Sequence, residues 1–457
     1  MAAAASAEAL LRDGDEVTIT DRRPSDVLDR LSAAGATVVI ADPPPIELLD
    51  AVDDLIVSPG VPPHDALAAA AVAAGIDVYS EPELAWRRRA AGAPPWLAVT
   101  GTNGKSTTVT MLAAILRAAG LRAAALGNIG EPLVTSAATS GGGDGFDVLA
   151  VELSSFQLHW SSTLAPEVGA FLNAADDHLE WHGTFEAYVA AKFEIWRSAT
   201  PAAGGIAIGN LDDPLVATGL ANVTGRSVGF TVGAPKPGQL GVIEGILIDR
   251  VDWSGGEDAD MSVPLIEASA IRPPGAHNVS NALAAAAMAR AYGVGPDAVR
   301  TGLAGYQPEP HRNATVATIA GVTYVDDSKA TNPHAAAASL AAYPSIVWIA
   351  GGQLKGVDVD DLVASVVDRL RAAVVLGVDR AEVIAALARH APDVPVIDVP
   401  TTDDRAMGEV VVAAASLARP GDTVLLAPAA ASKDMYASFN ARGDAFAAAV
   451  RALDPAG

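Results

Sequence analysis

The chain has 457 residues, room for about three domains at roughly 150 residues each. Half of the residues are hydrophobic and 5% aromatic, which describes alanine- and valine-rich globular cores and excludes a disordered chain. The formal net charge of −24 disfavours nucleic acid as a partner, and the lack of any cysteine excludes disulfides, thiolate nucleophiles and zinc–thiolate sites.

The opening "MAAAASAEALLRDGDEV" has neither the basic start nor the long apolar core of a signal peptide, and no uncharged apolar run is long enough to span a bilayer. A cytoplasmic location without membrane insertion is expected. The chain begins inside a helical pattern. "EVTIT" (Glu16–Thr20), "ATVVIA" (Ala36–Ala41), "DLIVS" (Asp54–Ser58) and "IDVYS" (Ile76–Ser80) then read as buried strands, each followed by a turn or helix, as in a small parallel α/β unit. "AAGAPP" (Ala90–Pro95) reads as a linker.

The second region starts with "WLAVT" (Trp96–Thr100), which runs into "GTNGKST" and then a helical stretch with no breaker before Gly120. The common phosphate-loop pattern G-x-x-x-x-G-K-[ST] needs glycine at position 99, where this chain has Val99. Strand, loop and helix still come in the required order. Backbone N–H groups at a helix N-terminus, backed by the helix dipole, form a cradle for phosphate oxygens. Lys105 would neutralise the outer phosphates, and Ser106 or Thr107 would offer a hydroxyl to Mg²⁺.

The apolar run "FDVLAVE" ends in Glu152, which is either a metal ligand or a strand-end acid facing water. "VGAFLN" ends in Asn173, and Asp176, Asp177 and His178 follow at what should be the same sheet edge. Lys192 lies mid-helix among Ala190, Ala191, Phe193 and Ile195; the pattern alone favours a snorkelling lysine, and a core-satisfied His178 is the plain alternative. Gly238–Ser269 is irregular and β-like, and a helix spans Asn278–Gly293.

In the third region "GVTYVDD", "SIVWIAGG", "AAVVLG", "PVIDV" and "DTVLLAPA" are strands, with helical segments such as Val359–Arg371 and Ala381–His390 between them. This is a doubly wound sheet whose strand C-termini should line a site. Asp326, Asp327, Ser328 and Lys329 crowd one strand end, and Lys355 follows the next strand and its Gly-Gly turn. Two lysines beside a serine hydroxyl suit a dicarboxylate amino acid, although either lysine alone is as well explained by a solvated strand end.

An ordered set of motifs, "TGTNGKST", "GNIG", "VELSSFQL", "NAADDHLEWHGTFEAYVAAK", "GAHNVSNALAA", "PHR" and "DDSKATNPHA", resembles the Mur ligases, the ATP-dependent amide-forming enzymes of peptidoglycan synthesis. "VDDSKATN", "GGQLKG" and "LLAPAAASKDMYASFNARGDAF" are similar to the branch that adds D-glutamate to UDP-N-acetylmuramoyl-L-alanine. The resemblance covers nearly the whole chain. It implies an α/β protein of three domains: a Rossmann-like UDP-binding unit (1–92), a central P-loop ATPase domain (93–308) and a C-terminal Rossmann-like domain (309–457).

It also implies residue roles. Gly101, Thr102, Asn103, Gly104, Lys105, Ser106 and Thr107 hold ATP, with Asn281, Arg312 and Asp327 at further nucleotide contacts. Ser106, Glu152, His178 and Lys192 surround two Mg²⁺ ions, and the lysine matching Lys192 is carbamylated in relatives, which turns a cation into a carboxylate-like ligand. Lys105, Glu152, His178 and Lys192 form the catalytic set, and the snorkelling reading of Lys192 loses. Arg22, Arg23, Gly60, Asn128, Ser154 and Gln157 match contacts to the UDP-sugar substrate; Lys329, Thr331, Lys355, Ser432 and Phe439 match the D-glutamate pocket. A monomer is expected, and closure of the last domain before chemistry.

Two departures from the family pattern stand out. Its members begin with a strand and a Gly-rich loop that touches uridine diphosphate, and Met1 lies beyond that point, so an exposed sheet edge and an incomplete UDP site are expected. Lys433 stands where an apolar residue is commoner. Rival readings are another amino-acid ligase of the superfamily, such as a folylpolyglutamate synthase, or a nucleotide-binding regulator with a dead site. "DDSKATN" argues against the first, and the intact Lys105, Glu152, His178 and Lys192 against the second.

Overall fold

The structure is a computed structural model that describes residues 2–136, 145–254, 261–308, 310–403 and 405–453. It divides into two compact units, Met1–Ala270 with Ser280–Tyr306, and Ile271–Val279 with Gln307–Gly457.

In the first unit, β1 (Thr18–Asp21) pairs in parallel with β2 (Thr37–Ile40), and β3 (Asp54–Val57) with β4 (Asp77–Ser80). All four expected strands are present, but as two separate two-stranded sheets. The helix Ala2–Asp13 sends Ala7 into a small core with Leu31 and Ala36, and Ala9 into a larger one with Tyr79, Leu84 and Trp96. This part of the unit is fixed to later helices and loops of the same unit by polar contacts. The Ser80 hydroxyl donates to the carbonyls of Gln157 and Trp160, and Trp160 Nε1 donates to the Val61 carbonyl. Glu81 accepts the Val134 N–H at 2.6 Å, and Glu83 accepts from Thr163 and Leu164.

The rest of the unit is a nine-stranded sheet. Its strands are β5 (Trp96–Thr100), β6 (Ala123–Gly127), β7 (Val148–Glu152), β8 (Val168–Phe171), β9 (Ile206–Asn210), β10 (Arg226–Phe230), β11 (Gln239–Ile243), β12 (Ile246–Asp249) and β13 (Val263–Glu267). The order is β13-β12-β11-β10-β9-β8-β5-β7-β6, parallel except for the antiparallel β11-β12-β13 end, which is the irregular β-like stretch expected from Gly238 onward. β5, β7 and β8 are buried at every position, the signature of parallel strands covered on both faces. The chain leaves β5 towards β6 on one side and later returns to β8 on the other. β5 is therefore the topological switch point, and a crevice opens beyond its C-terminus, between those of β7 and β8.

The second unit holds a six-stranded sheet of order β14-β15-β19-β16-β17-β18. These strands are β14 (Ala314–Ile319), β15 (Val322–Asp326), β16 (Ile346–Gly351), β17 (Leu370–Leu376), β18 (Val396–Asp398) and β19 (Thr423–Leu426). Separate hydrophobic clusters cover its two faces, as a doubly wound sheet requires. Two details differ from the sequence reading. β14 is an additional antiparallel edge strand, and its hairpin turns at Ala320 (φ 50°) and Gly321 (φ 79°), two left-handed residues as in a type I′ turn. The helix expected over Val359–Arg371 spans Asp360–Val366 only. A 3₁₀ turn at Val367–Arg369 follows, because Leu370 already pairs with Ile346 and the strand takes the rest.

Candidate active site

The phosphate loop sits where the topology directs it. Val99 is a buried strand residue paired with Glu152, so β5 continues to Thr100 and the loop proper begins only at Gly101. That accounts for the missing glycine: position 99 lies inside the sheet. Gly104 (φ +85°) caps the helix Lys105–Ala118, and a Cβ there would lie 2.4 Å from Asn281 Oδ1. Only glycine fits, and Asn281, on the helix Ala276–Ala291, is seated directly against the loop. Asn173, just past β8, clamps the loop from the other side. Its Oδ1 accepts the Asn103 N–H at 2.9 Å, its Nδ2 donates to the Asn103 carbonyl, and its own carbonyl accepts the Thr102 N–H. The Lys105 ammonium donates to the carbonyls of Gly101 at 2.7 Å and Thr102 at 2.9 Å. Ser106, the second residue of the helix, is buried, and Thr107 is half-buried beside it.

Glu152 ends β7 and is 2% exposed. Its Oε1 accepts from Asn128 Nδ2 at 2.9 Å, and its Oε2 is buried without a hydrogen-bond partner. A buried carboxylate oxygen left unpaired is costly unless something positive occupies it. Lys192 is 1% exposed on the helix Phe185–Phe193, too deep to snorkel. Its Nζ donates to the Gly101 carbonyl at 2.9 Å and lies 4.5 Å from the centre of the Tyr188 ring. Burial, and then the nearby Lys105 charge, hold its ammonium well below the usual lysine range.

His178 has a left-handed backbone (φ 55°) at the start of the short helix Leu179–His182. Its ring lies 4.7 Å from that of Phe156, tilted by 56°, and its Nε2 lies 3.5 Å from Asp177 Oδ2. Lys105, Asn128, Asp177, His178 and Lys192 line one cavity of about 140 Å³ together with Thr102, Ser154, Ser155, Phe156 and Tyr188. Ser154 and Gln157 spend polar atoms on a capping box for the helix Ser155–His159: the Ser154 hydroxyl accepts the Gln157 N–H, and Gln157 Oε1 accepts the Ser154 N–H. Asp176 is exposed and outside the cavity lining.

A divalent cation fits these donors in one way. Among the described residues no three His, Asp or Glu side chains make a ready cage. Glu152, the Ser106 hydroxyl and phosphate oxygens are hard ligands, and Lys192 joins them only if its amine carries a carbamate, because an ammonium would repel the ion.

In the first 92 residues Arg22 and Arg23 are exposed at the C-terminus of β1. Arg22 faces Asp42 at 3.4 Å, the Arg23 N–H bonds Asp21, and Gly60 lies in the exposed loop after β3.

In the second unit the polar residues gather past the C-termini of β15, β16 and β19. Lys329 Nζ lies 4.2 Å from the centre of the Phe439 ring, which brings two of the expected D-glutamate residues together. Gln353 and Ala431 form an antiparallel bridge with backbone bonds of 2.8 and 3.0 Å, which ties the loop carrying Lys355 (exposed, φ 57°) to the one carrying buried Ser432. Thr331 is half-buried, its N–H bonded to the Lys329 carbonyl. Asp327 accepts the Asn313 N–H, feels the Arg312 charge, and is pushed up to about 6 by burial.

Sequence reasoning passed over two residues in this unit. His311 Nδ1 donates to Asp326 Oδ2 at 2.7 Å, and fully buried Arg442 binds the Ser328 hydroxyl and the carbonyls of Ser328 and Ala430. In the first unit it gave no role to Ser155, one of the polar residues after Glu152, and passed over Phe156, His182 and Tyr188; the last was visible as the residue one turn before Lys192.

The comparisons with known proteins agree with this geometry. Residues 99–289 match the Mur ligase middle domain, and residues 311–430 the Mur ligase glutamate ligase domain. The chain is 53% identical to a protein of Thermobifida fusca named UDP-N-acetylmuramoylalanine–D-glutamate ligase, over 98% of this chain and 95% of that one. A protein of the same name from Streptomyces avermitilis is 51% identical over 97% and 92%. Among solved structures, the MurF ligase of Thermotoga maritima in complex with ADP matches with a TM-score of 0.60 at 17% identity, over 97% of each chain. The UDP-N-acetylmuramate-alanine ligase of the same organism matches with a TM-score of 0.59 over 98% and 96%. At that identity these two show the fold. No helix among the described residues is long and apolar enough to cross a membrane.

Proposed function

This chain belongs to the Mur ligase family, and on that premise we propose that it joins D-glutamate to UDP-N-acetylmuramoyl-L-alanine, spending ATP in peptidoglycan precursor synthesis. In this reading residues 1–92 take the UDP sugar, with Arg22, Arg23 and Gly60 at the nucleotide and Asn128, Ser154 and Gln157 nearer the reacting end. Residues 93–308 take ATP on the loop Gly101–Thr107 with Asn281. Residues 309–457 take D-glutamate between Lys329, Thr331, Lys355, Ser432 and Phe439, with Arg312 and Asp327 at the nucleotide. The enzyme acts as a cytoplasmic monomer.

The observation that carries the reading is the convergence of Lys105, His178 and Lys192 on one small polar cavity, with Glu152 bonded to the cavity residue Asn128, at a strand edge built for phosphates. The alanyl carboxylate attacks the γ-phosphorus of ATP and ADP leaves. The amine of D-glutamate then attacks the acyl phosphate, and the tetrahedral intermediate collapses to amide and phosphate. Two anions must approach each other in the first step, which calls for positive charge and fixed dipoles rather than a nucleophilic side chain. Lys105 and the loop N–H groups hold the phosphates and spread the developing charge. Glu152, Ser106, His178 and carbamylated Lys192 would hold two Mg²⁺ ions, which supply charge neutralisation when bound. His178 orients, and Asp177 keeps its imidazole facing the cavity.

The deciding measurement is ADP release dependent on both UDP-N-acetylmuramoyl-L-alanine and D-glutamate. Equal turnover with another amino acid, or none with both substrates, would overturn the reading.

A further inference from the structure

His182 belongs to none of the roles above, yet its Nε2 lies 2.9 Å from Ser155 Oγ, and Ser155 lines the cavity. The imidazole is packed among rings: Phe156 stacks at 5.6 Å, Trp181 lies at 4.4 Å, Tyr188 meets it edge-on at 5.3 Å, and His159 approaches at 6.1 Å. Burial, followed by the nearby His159, Lys192 and His178, lowers its pKa to about 4, so at neutral pH the ring carries one proton. Where that proton sits is settled by hydrogen-bond accounting. Nδ1 is buried and has no partner. A proton there would strand a buried N–H donor, whereas a bare Nδ1 strands only an acceptor, the cheaper fault. The proton therefore belongs on Nε2, and the ring donates to Ser155 Oγ.

This has a consequence for the hydroxyl. Ser155 is the first residue of its short helix and is 2% exposed, with the cavity on its open side. Its oxygen is occupied as an acceptor, so its own proton is left to point into the cavity, beside Lys105 and Lys192. We propose that His182 is a positioning residue that turns the Ser155 hydroxyl outward as a hydrogen-bond donor to an anionic oxygen of the reacting carboxyl group. The inference rests on the ligase reading given above. In that reading the oxygen gains a donor as it becomes part of the acyl phosphate and then of the tetrahedral intermediate. No bond to Ser155 forms and no proton leaves the pair.

Steady-state kinetics on the full chain tests this with Ser155→Ala, His182→Phe, His182→Gln and the Ser155→Ala/His182→Phe double variant. Removal of one donor aimed at developing charge costs roughly 10²-fold in kcat. Ser155→Ala and His182→Phe should each lose about that much, with KM for ATP within roughly twofold of the wild type. The double variant should be no worse than the poorer single one. His182→Gln, whose Nε2–H₂ reaches the same hydroxyl, should recover most of the loss.

Multiplying losses in the double variant, or a His182→Phe variant whose loss lies in thermal stability and KM for ATP alone, would overturn the proposal. Independently of turnover, ¹⁵N shifts of the His182 ring in the wild-type protein should show a protonated Nε2 and a bare Nδ1; the opposite tautomer sinks it. If the wild type fails to ligate D-glutamate, the ligase reading fails and the ring-nitrogen measurement still decides the geometry.

Discussion

Lys192 and Glu152 mark how differently two buried charges can be used. Lys192 sits at 1% exposure, and burial together with the nearby Lys105 charge disfavours its ammonium relative to the free amine, the form that adds carbon dioxide. Lys192→Ala should therefore lower ligation by at least about 10²-fold, the order lost when a charge is removed from a preorganised site. High bicarbonate or a short carboxylate should restore part of it; activity near wild type without additive would remove Lys192 from the chemistry. Glu152→Gln keeps an oxygen for Asn128 while neutralising the orphaned side. The Mg²⁺ concentration for half-maximal rate should rise about tenfold or more, and an unchanged magnesium titration would show that Glu152 holds no ion. Neither residue could be settled from composition or periodicity. Helical pattern makes Lys192 an ordinary snorkelling lysine, and only burial, set by tertiary packing, separates the two readings.

Among the elements, the loop between β5 and its helix carries the sharpest constraint. Gly104 is held at φ +85° with Asn281 Oδ1 where a Cβ would go. Gly104→Ala meets both the left-handed penalty of roughly 1–2 kcal/mol and a clash with Asn281, the side chain proposed above to take ATP with the loop. KM for ATP should rise about tenfold while KM for D-glutamate stays unchanged, as initial-rate measurements in each substrate will show. The elements themselves were largely legible. Short apolar runs bounded by turn signals, such as Trp96–Thr100 and Val148–Glu152, read as buried parallel strands, and both are found there. β14 escaped notice because its burial is incomplete along its length, as befits an edge strand, and its one strong signal is the two-residue turn at Ala320–Gly321. The Asn173 clamp could not be read at all, since it depends on two strands far apart in the chain becoming neighbours at their C-termini.

For the whole molecule, stability should depend on pH through buried carboxyl groups. Glu81, behind the N-terminal strands, is raised to about 7 by burial, against the pull of the Val134 and Leu133 amides. Its folded pKa lies above the unfolded value, so the stability it contributes is fully present below about pH 4.5 and is lost as pH rises through 7. His182 and His277 act in the opposite direction: both are lowered to about 4, so their contribution is present above the ordinary histidine range and lost as pH falls through 4. Glu81→Gln should gain on the wild type between pH 4.5 and 8 by on the order of 2 kcal/mol. Thermal unfolding at both pH values reads this out, and a constant gap would show that Glu81 is already ionised in the folded chain. The fold class and the identity of the loop were open to the sequence at this scale. The separation of the first four strands into two pairs was not, because each strand is legible on its own while its hydrogen-bonding partner is not.

The resting position of Lys105 governs which anions the loop will take. Its ammonium already has two oxygens, those of Gly101 and Thr102, and an incoming ligand has to outcompete both. Lone inorganic phosphate offers few compensating contacts. A nucleotide tail reaches several loop amides at once and can draw the side chain off its perch. On the ligase reading proposed above, the cradle would thereby sort its visitors by the length of the phosphate chain.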